Sequence, residues 1–181
     1  LKNLHYSNYM NKLHRILRYE LPLHFVLLVT NWLPDNVIFI RLRGMLARPF
    51  FKSCGRKLGL GRNVTFYNSW KMVVGSHVYI AYGCWLGGDI CIEDEVLFGP
   101  YCVLAPSNHT MEQGSYRFGC NTTGIIIVKK GSWVGSHSSI VQGGILGKGC
   151  VLAANSVLNV KTEDYSIYGG VPAKKIKSYV P

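Results

Sequence analysis

The stretch Val128–Leu158 reads VKKGSWVGSHSSIVQGGILGKGCVLAANSVL, and every sixth residue in it is aliphatic: Val128, Val134, Ile140, Leu146, Leu152 and Leu158. Small residues stand two places before, as Ser132, Ser138, Gly144, Cys150 and Ser156, and often one place after, as Gly135, Gly147 and Ala153. A period of six is neither the ~3.6 of a helix nor the ~2 of a flat strand. It marks a hexapeptide repeat, in which short strands joined by tight corners wind into a solenoid.

Upstream the same register runs through Val74, Ile80, Leu86, Ile92, Phe98 and Leu104, with Met72, Val78, Cys84, Ile90, Val96 and Cys102 two places before them. Apolar residues thus fill twelve of twelve predicted inward places. At 48% hydrophobic content chance does so about once in 10⁴ trials. Leu60 and Phe66 keep an earlier register, which two extra residues near Trp70 offset. The repeat starts near Leu58 and runs to about fourteen hexads. Between Leu104 and Val128 the pattern stops. Its inward places become Thr110, Tyr116 and Thr122, and residues 108–121 are polar, with Gly114 and Gly119. A polar loop ejected from a rigid body is a usual place for function.

The chain therefore divides into a helical segment (1–56), a β-helix domain (57–160) carrying the loop 108–121, and a tail (161–181). In the first segment, Leu4, Leu13, Ile16 and Leu17 predict an amphipathic helix over 4–20 that ends before Pro22. A second helix follows Pro34, capped by Asp35 or Asn36 and running through Ile38, Ile40, Leu42, Met45 and Leu46 toward Pro49. Such helices cover the open end of a solenoid, since repeat proteins need capped ends, and they also suit an interfacial anchor. Leu21–Leu33 is apolar but short of the ~20 residues that span a bilayer, and no secretory signal is evident. The expected location is the cytoplasm, with peripheral membrane contact through residues 1–56.

The net charge of +11 is unevenly spread. Residues 1–62 hold eleven of the twenty Lys/Arg and two of the nine Asp/Glu, whereas 63–160 hold five of each. A neutral body argues against a nucleic-acid groove and leaves a basic appendage. The six cysteines form no Cys-x-x-Cys pair, and Cys84, Cys102 and Cys150 fall on the small inward position, which reads as reduced packing cysteines.

His109, at the base of the loop in Ser107-Asn108-His109-Thr110-Met111, can take a proton from a hydroxyl at neutral pH; the plain alternative is a solvated loop histidine. His77, His109 and His137 stand 32 and 28 residues apart, a poor fit to a zinc-binding trio, so no metal is expected.

The hexads, the loop Asn-His-Thr-Met, the run Ser132-Trp133-Val134-Gly135-Ser136, the run Ala153-Ala154-Asn155-Ser156-Val157 and the tail Gly170-Val171-Pro172-Ala173-Lys174 together resemble the hexapeptide-repeat O-acetyltransferases of the maltose/galactoside, xenobiotic and polysaccharide groups. The resemblance covers 58–178. It implies a left-handed parallel β-helix, a homotrimer, and acetyl-CoA bound between neighbouring solenoids with no metal required. It implies His109 as general base for direct attack of an acceptor hydroxyl on the thioester, with a backbone N–H near Gly135 or Ser136 steadying the oxyanion. Trp133, Gly135, Ser136, Ala153, Ala154 and Asn159 then match cofactor positions, and Lys174 and Lys177 stand where arginines often meet the CoA phosphates. Val160 departs from the family's common Lys. Asp89 matches an aspartate that contacts the acceptor, or is a solvated corner residue. Trp133 has its own plain reading, an aromatic in a trimer contact. Glu112 is a weak candidate for orienting His109. The basic, apolar first segment favours a glycan or polysaccharide-precursor hydroxyl as acceptor. A xenobiotic acceptor and a non-catalytic hexapeptide scaffold are the alternatives. The Asn-x-Ser/Thr triplets at Asn63, Asn108 and Asn121 read as accidental.

Overall fold

A computed structural model describes residues 12–179. Five stacked coils form a three-sided parallel β-solenoid, so the all-β expectation holds. The first face carries Ser53–Cys54, Val73–Val74, Ile90–Ile92, Ile126–Val128 and Ile145–Leu146. The second carries Gly59–Leu60, Tyr79–Ile80, Leu97–Phe98, Trp133–Val134 and Val151–Leu152; the third Thr65–Tyr67, Trp85–Gly87, Val103–Ala105, Ser139–Val141 and Val157–Leu158. All twelve predicted inward aliphatic and aromatic positions are buried, from Val74 to Leu158. Strands this short close into a coil because each corner places one residue in the left-handed region, as at Lys57, His77, Gly83, His137 and Asn155. The small inward residues have a polar reason as well. Ser132 Oγ donates to the Gly147 carbonyl at 2.6 Å and Ser138 Oγ to Ala153 at 2.8 Å, tying each coil to the next.

The first coil begins at Ser53–Cys54, which pairs with Val73–Val74, ahead of Leu58. Cys54 sits at the inward register without an aliphatic side chain, so the hexad pattern does not reveal it. Burial pushes its thiol up to about 11, which fits a packing cysteine. The two extra residues near Trp70 become a 3₁₀ turn, Ser69–Lys71.

At the open end, Lys12–Arg15, a π-helical turn Ile16–Glu20, and Leu21–Thr30 follow one another in helical conformation. The helix therefore does not stop before Pro22, as its proline predicted. Proline lacks an N–H and its ring clashes with the preceding turn; the wider π-turn just before it is a known way to absorb such a disruption. The predicted stretch 4–11 lies outside the described residues. The second helix, Val37–Ala47, matches its expectation: Asn36 is the N-cap, its side chain accepting from Phe39 N at 3.0 Å. Leu23, Leu27, Ala47 and Phe51 join the solenoid core. Gly44 lets this helix lie backbone-to-backbone on the first coil, for a Cβ there would meet the Leu58 carbonyl oxygen.

The fully buried Arg43 fastens this cap. Its guanidinium pairs with Asp35 at 3.1 Å and donates to the carbonyls of Leu60 (2.5 Å), Thr30 (3.1 Å) and Leu33 (3.1 Å). One side chain thus joins the end of the first helix, the inter-helix turn and the first coil. At the other end Ser166–Gly169 and Lys174–Ser178 form an antiparallel hairpin that extends the second face. Replacing Arg43 by alanine removes the buried donor from three carbonyls and leaves Asp35 to Arg62 alone. We expect Arg43→Ala to lower stability in urea by about 3–5 kcal/mol, and a loss below ~1 kcal/mol would show that apolar contacts alone hold the cap.

Candidate functional site

The chain leaves the solenoid at the edge between the third and first faces, after Val103–Ala105, and returns at Ile126. Ser107–His109 pairs antiparallel with Asn121–Thr123, so the ejected segment is a hairpin whose root is wider than 108–121. Asn108 Nδ2 donates to Gln142 Oε1 at 2.7 Å and Thr122 Oγ1 to the same oxygen at 3.4 Å. Gln142 sits at the same edge, one coil further on, and holds both strands. Because side chains alternate along a strand, this turns His109 and its cross-strand partner Asn121 to the opposite side, where both are exposed. The His109 ring has no hydrogen-bond partner within its own chain among the described residues. The backbone of Glu112 pairs across the turn with that of Ser115, at 3.0 and 2.9 Å, and among the described residues no hydrogen bond joins its carboxylate to His109.

Asp89 lies on that edge one coil earlier, its backbone carbonyl accepting from Ile126 N at 3.1 Å. Its carboxylate is paired with Lys71 Nζ at 3.0 Å and remains partly exposed. Lys71 comes from the 3₁₀ turn that the two extra residues create. Hexad reading registered that insertion only as an offset; Lys71 was missed, and so was Gln142, whose only signal is its place at a corner before Gly143-Gly144.

The cofactor candidates gather elsewhere. Trp133 is on the outer side of the second face, 52% exposed, between Leu97 and Val151 of the neighbouring coils. Gly135, Ser136, Ala153 and Ala154 form the edge between the second and third faces. A Cβ on Gly135 would meet Ala154 N at 2.6 Å, and one on Gly99 would meet Ser136 Oγ at 2.7 Å, so these backbones stack directly. Gly135 N–H donates to the Leu152 carbonyl at 2.7 Å and is spent on the solenoid. Lys174 and Lys177 are exposed on the hairpin strand two places beyond Val151–Leu152 in the same sheet. A flat indole, small residues and lysines thus share one face, a set suited to an acyl-thioester arm ending in phosphates. Asn159 does not join them; it is exposed beside Val160 on the edge that carries His109. His77, His109 and His137 occupy three different edges, and His137 stacks on Tyr101 at 4.9 Å between ring centroids.

Solved hexapeptide-repeat acetyltransferases share this fold. A hexapeptide-repeat acetyltransferase of Vibrio cholerae complexed with acetyl coenzyme A superposes with a TM-score of 0.78 at 23% identity, over 93% of this chain and 90% of that one. A maltose O-acetyltransferase of Clostridium difficile gives 0.79 at 20% identity, covering 92% and 89%. A galactoside acetyltransferase in complex with coenzyme A gives 0.78 at 20%, covering 95% and 84%. By sequence, the chain is 33% identical over 94 residues to a protein named probable acetyltransferase Rv3034c of Mycobacterium tuberculosis, covering 50% of this chain and 31% of that one. It is 32% identical over 110 residues to a protein named probable macrolide acetyltransferase of Lysinibacillus sphaericus, covering 48% and 61%. The matches thus span 31% and 61% of the lengths of these two relatives. No family model matches it.

The close stacking at Gly135 has a measurable consequence. Gly135→Ala forces the coils apart at this edge, and we expect a loss of about 1–3 kcal/mol in chemical denaturation. A neutral substitution would mean the coils have slack there.

Proposed function

We propose that the chain is an acetyl-CoA-dependent O-acetyltransferase that acts as a homotrimer on a sugar hydroxyl of a glycan or polysaccharide precursor. The observation that carries this reading is the division of the candidate residues between two edges of one solenoid. His109, Asp89 and Asn159 stand on one edge; Trp133, Ser136, Ala153, Ala154 and the two lysines stand on or beside another. The third face separates the groups, so a neighbouring chain has to bring its cofactor edge to this chain's His109 edge. Trp133, Ala153, Ala154, Lys174 and Lys177 would hold the acyl carrier.

The His109 imidazole takes the proton from the acceptor hydroxyl as its oxygen attacks the thioester carbonyl carbon. The C–O bond forms, the C–S bond breaks, and the proton passes to the departing thiolate. Gly135 N–H being committed, Ser136 N–H is the donor left for the oxyanion. Positioning of two bound substrates supplies much of the remaining acceleration.

A sugar acceptor is favoured by a cleft of about 440 Å³ between Leu21–Thr30 and the first coil, lined in part by Glu20, His24, Asn31, Asn63, Tyr67 and Asn68. It opens near the foot of the His109 edge, below the Asp89–Lys71 pair, and offers the amide, carboxylate and aromatic groups that bind hydroxyl-rich ligands. An acceptor assembled on a membrane also suits the basic first segment.

His109→Ala should lower kcat for acetyl transfer by about 10²–10⁴-fold while CoA binding by calorimetry stays unchanged. Unaltered turnover would remove the base, and absence of CoA binding in the native protein would point to a scaffold. An acceptor screen with thiol detection should include macrolides and chloramphenicol; turnover of these in preference to glycans would move the acceptor class.

Shared sites can be tested separately. Trp133→Ala and His109→Ala chains, each inactive alone, should regain a measurable fraction of activity when mixed by refolding, because some interfaces then pair a native His109 with a native Trp133. No recovery in verified mixed trimers would place each site within a single chain.

A further inference from the structure

The helix Leu21–Thr30 and the turn before it are apolar on both sides, yet only one side is packed. Leu23, Leu27 and Thr30 face the solenoid. Leu17, Leu21, Phe25, Val29 and Trp32 follow one another at helical spacing along the opposite side, and all are exposed: Phe25 is 64% accessible and Trp32, just past the helix end, 87%. A helix apolar all round normally has cover on every side, and an apolar stripe of this length marks an interaction surface.

Its charge setting says what covers it. Lys12 and Arg18 are exposed on the same helical run, Arg18 also donating to the Pro49 carbonyl at 3.2 Å; Arg41 is exposed on the adjacent helix, at a groove it lines with Lys57 and His77, and Val37 and Ile38 are exposed there as well. The only carboxylates from residue 12 to 57 are Glu20 and Asp35. Glu20 lines the cleft on the inner side, and Asp35 is bound by Arg43 at 3.1 Å and Arg62 at 3.7 Å. The outer side therefore presents apolar and aromatic groups rimmed by cations, with no carboxylate turned outward. A second copy would bring like charges together, whereas an anionic surface complements the whole patch. No helix among the described residues is long and apolar enough to cross a membrane.

We propose that this outer face lies in the interface of an anionic lipid bilayer, with Leu17, Leu21, Phe25 and Trp32 among the acyl chains and Lys12, Arg18 and Arg41 at the headgroups. Such a helix lies on a membrane without spanning it. Glu20 and His24, on the same helix, line the cleft, so a bilayer held on the outer face stands close to the cleft.

Co-sedimentation with vesicles tests this directly and needs no turnover, so its failure leaves the acetyl-transfer reading standing. The full chain should sediment with phosphatidylcholine vesicles containing phosphatidylglycerol, bind pure phosphatidylcholine weakly, and be released by salt. The double variant Phe25→Glu/Trp32→Glu should lose about tenfold or more in partitioning, with circular dichroism, CoA binding and sedimentation-velocity mass unchanged. Either no binding to anionic vesicles or equal binding by variant and native protein overturns the proposal. A fall in oligomeric mass in the variant also overturns it, by showing that the face joins copies of the chain. Should that variant fail to fold, the charge variant Lys12→Glu/Arg41→Glu carries the same expectation, and undiminished binding by it is equally fatal.

Discussion

Successive coils must stack at the spacing of paired strands, about 4.8 Å, and the corners allow no side chain between them. At Gly99 and Gly135 the next coil's backbone or side chain lies within 2.7 Å of where a Cβ would stand. The same tightness sets Ser136 over Gly99 and Ala154 over Gly135. The residues expected to hold an acyl carrier are therefore placed by the rule that builds the solenoid. It also decides which backbone donors are available, since the Gly135 N–H belongs to the inter-coil ladder. Architecture and candidate site share one set of residues at this edge.

The opposite edge follows a different logic. There the chain departs from the repeat twice, as the turn Ser69–Lys71 and the long hairpin, with the regular corner Gly88-Asp89 between them. The two departures and the corner each add a polar group to one line: Lys71, His109 and Asp89. Gln142 contributes from a regular corner and ties down the irregular part above it. A solenoid tolerates such insertions at corners because the faces on either side keep their pairing: Ile92 still meets Val128, and Phe98 still meets Val134.

The solenoid was legible in the sequence because burial of one residue in six is a strong periodic signal. The twelve inward positions, the offset near Trp70 and the ejected loop all followed from it. The start at Cys54 was not legible, since a small inward residue leaves no aliphatic mark. The continuation of the first helix past Pro22 escaped for another reason: proline propensity argues for a stop, and only three-dimensional packing, with a π-turn before it, carries the helix through. The geometry of the candidate site was partly legible. His109 stood out by its place at the root of a loop, but the side chain that tethers this root comes from the following coil, and the partner of Asp89 comes from the preceding one. Such contacts depend on stacking between coils, which local sequence does not display. Asn159 shows the converse, a residue grouped with Trp133 by motif that the fold sets on another edge.

The hairpin takes up one coil's worth of chain, so the ladder contacts that bridge it join residues twice as far apart as their neighbours do, as the pairs Ile80–Phe98 and Phe98–Val134 show. In a chain-statistics view, doubling the closed length adds only about 0.6 kcal/mol of entropy. Gaining the arm that carries His109 thus costs the scaffold less than one ordinary core substitution. The same longer closure raises the sequence separation of the ladder contacts between Val103–Ala105 and Ser139–Val141, the quantity with which folding rates fall.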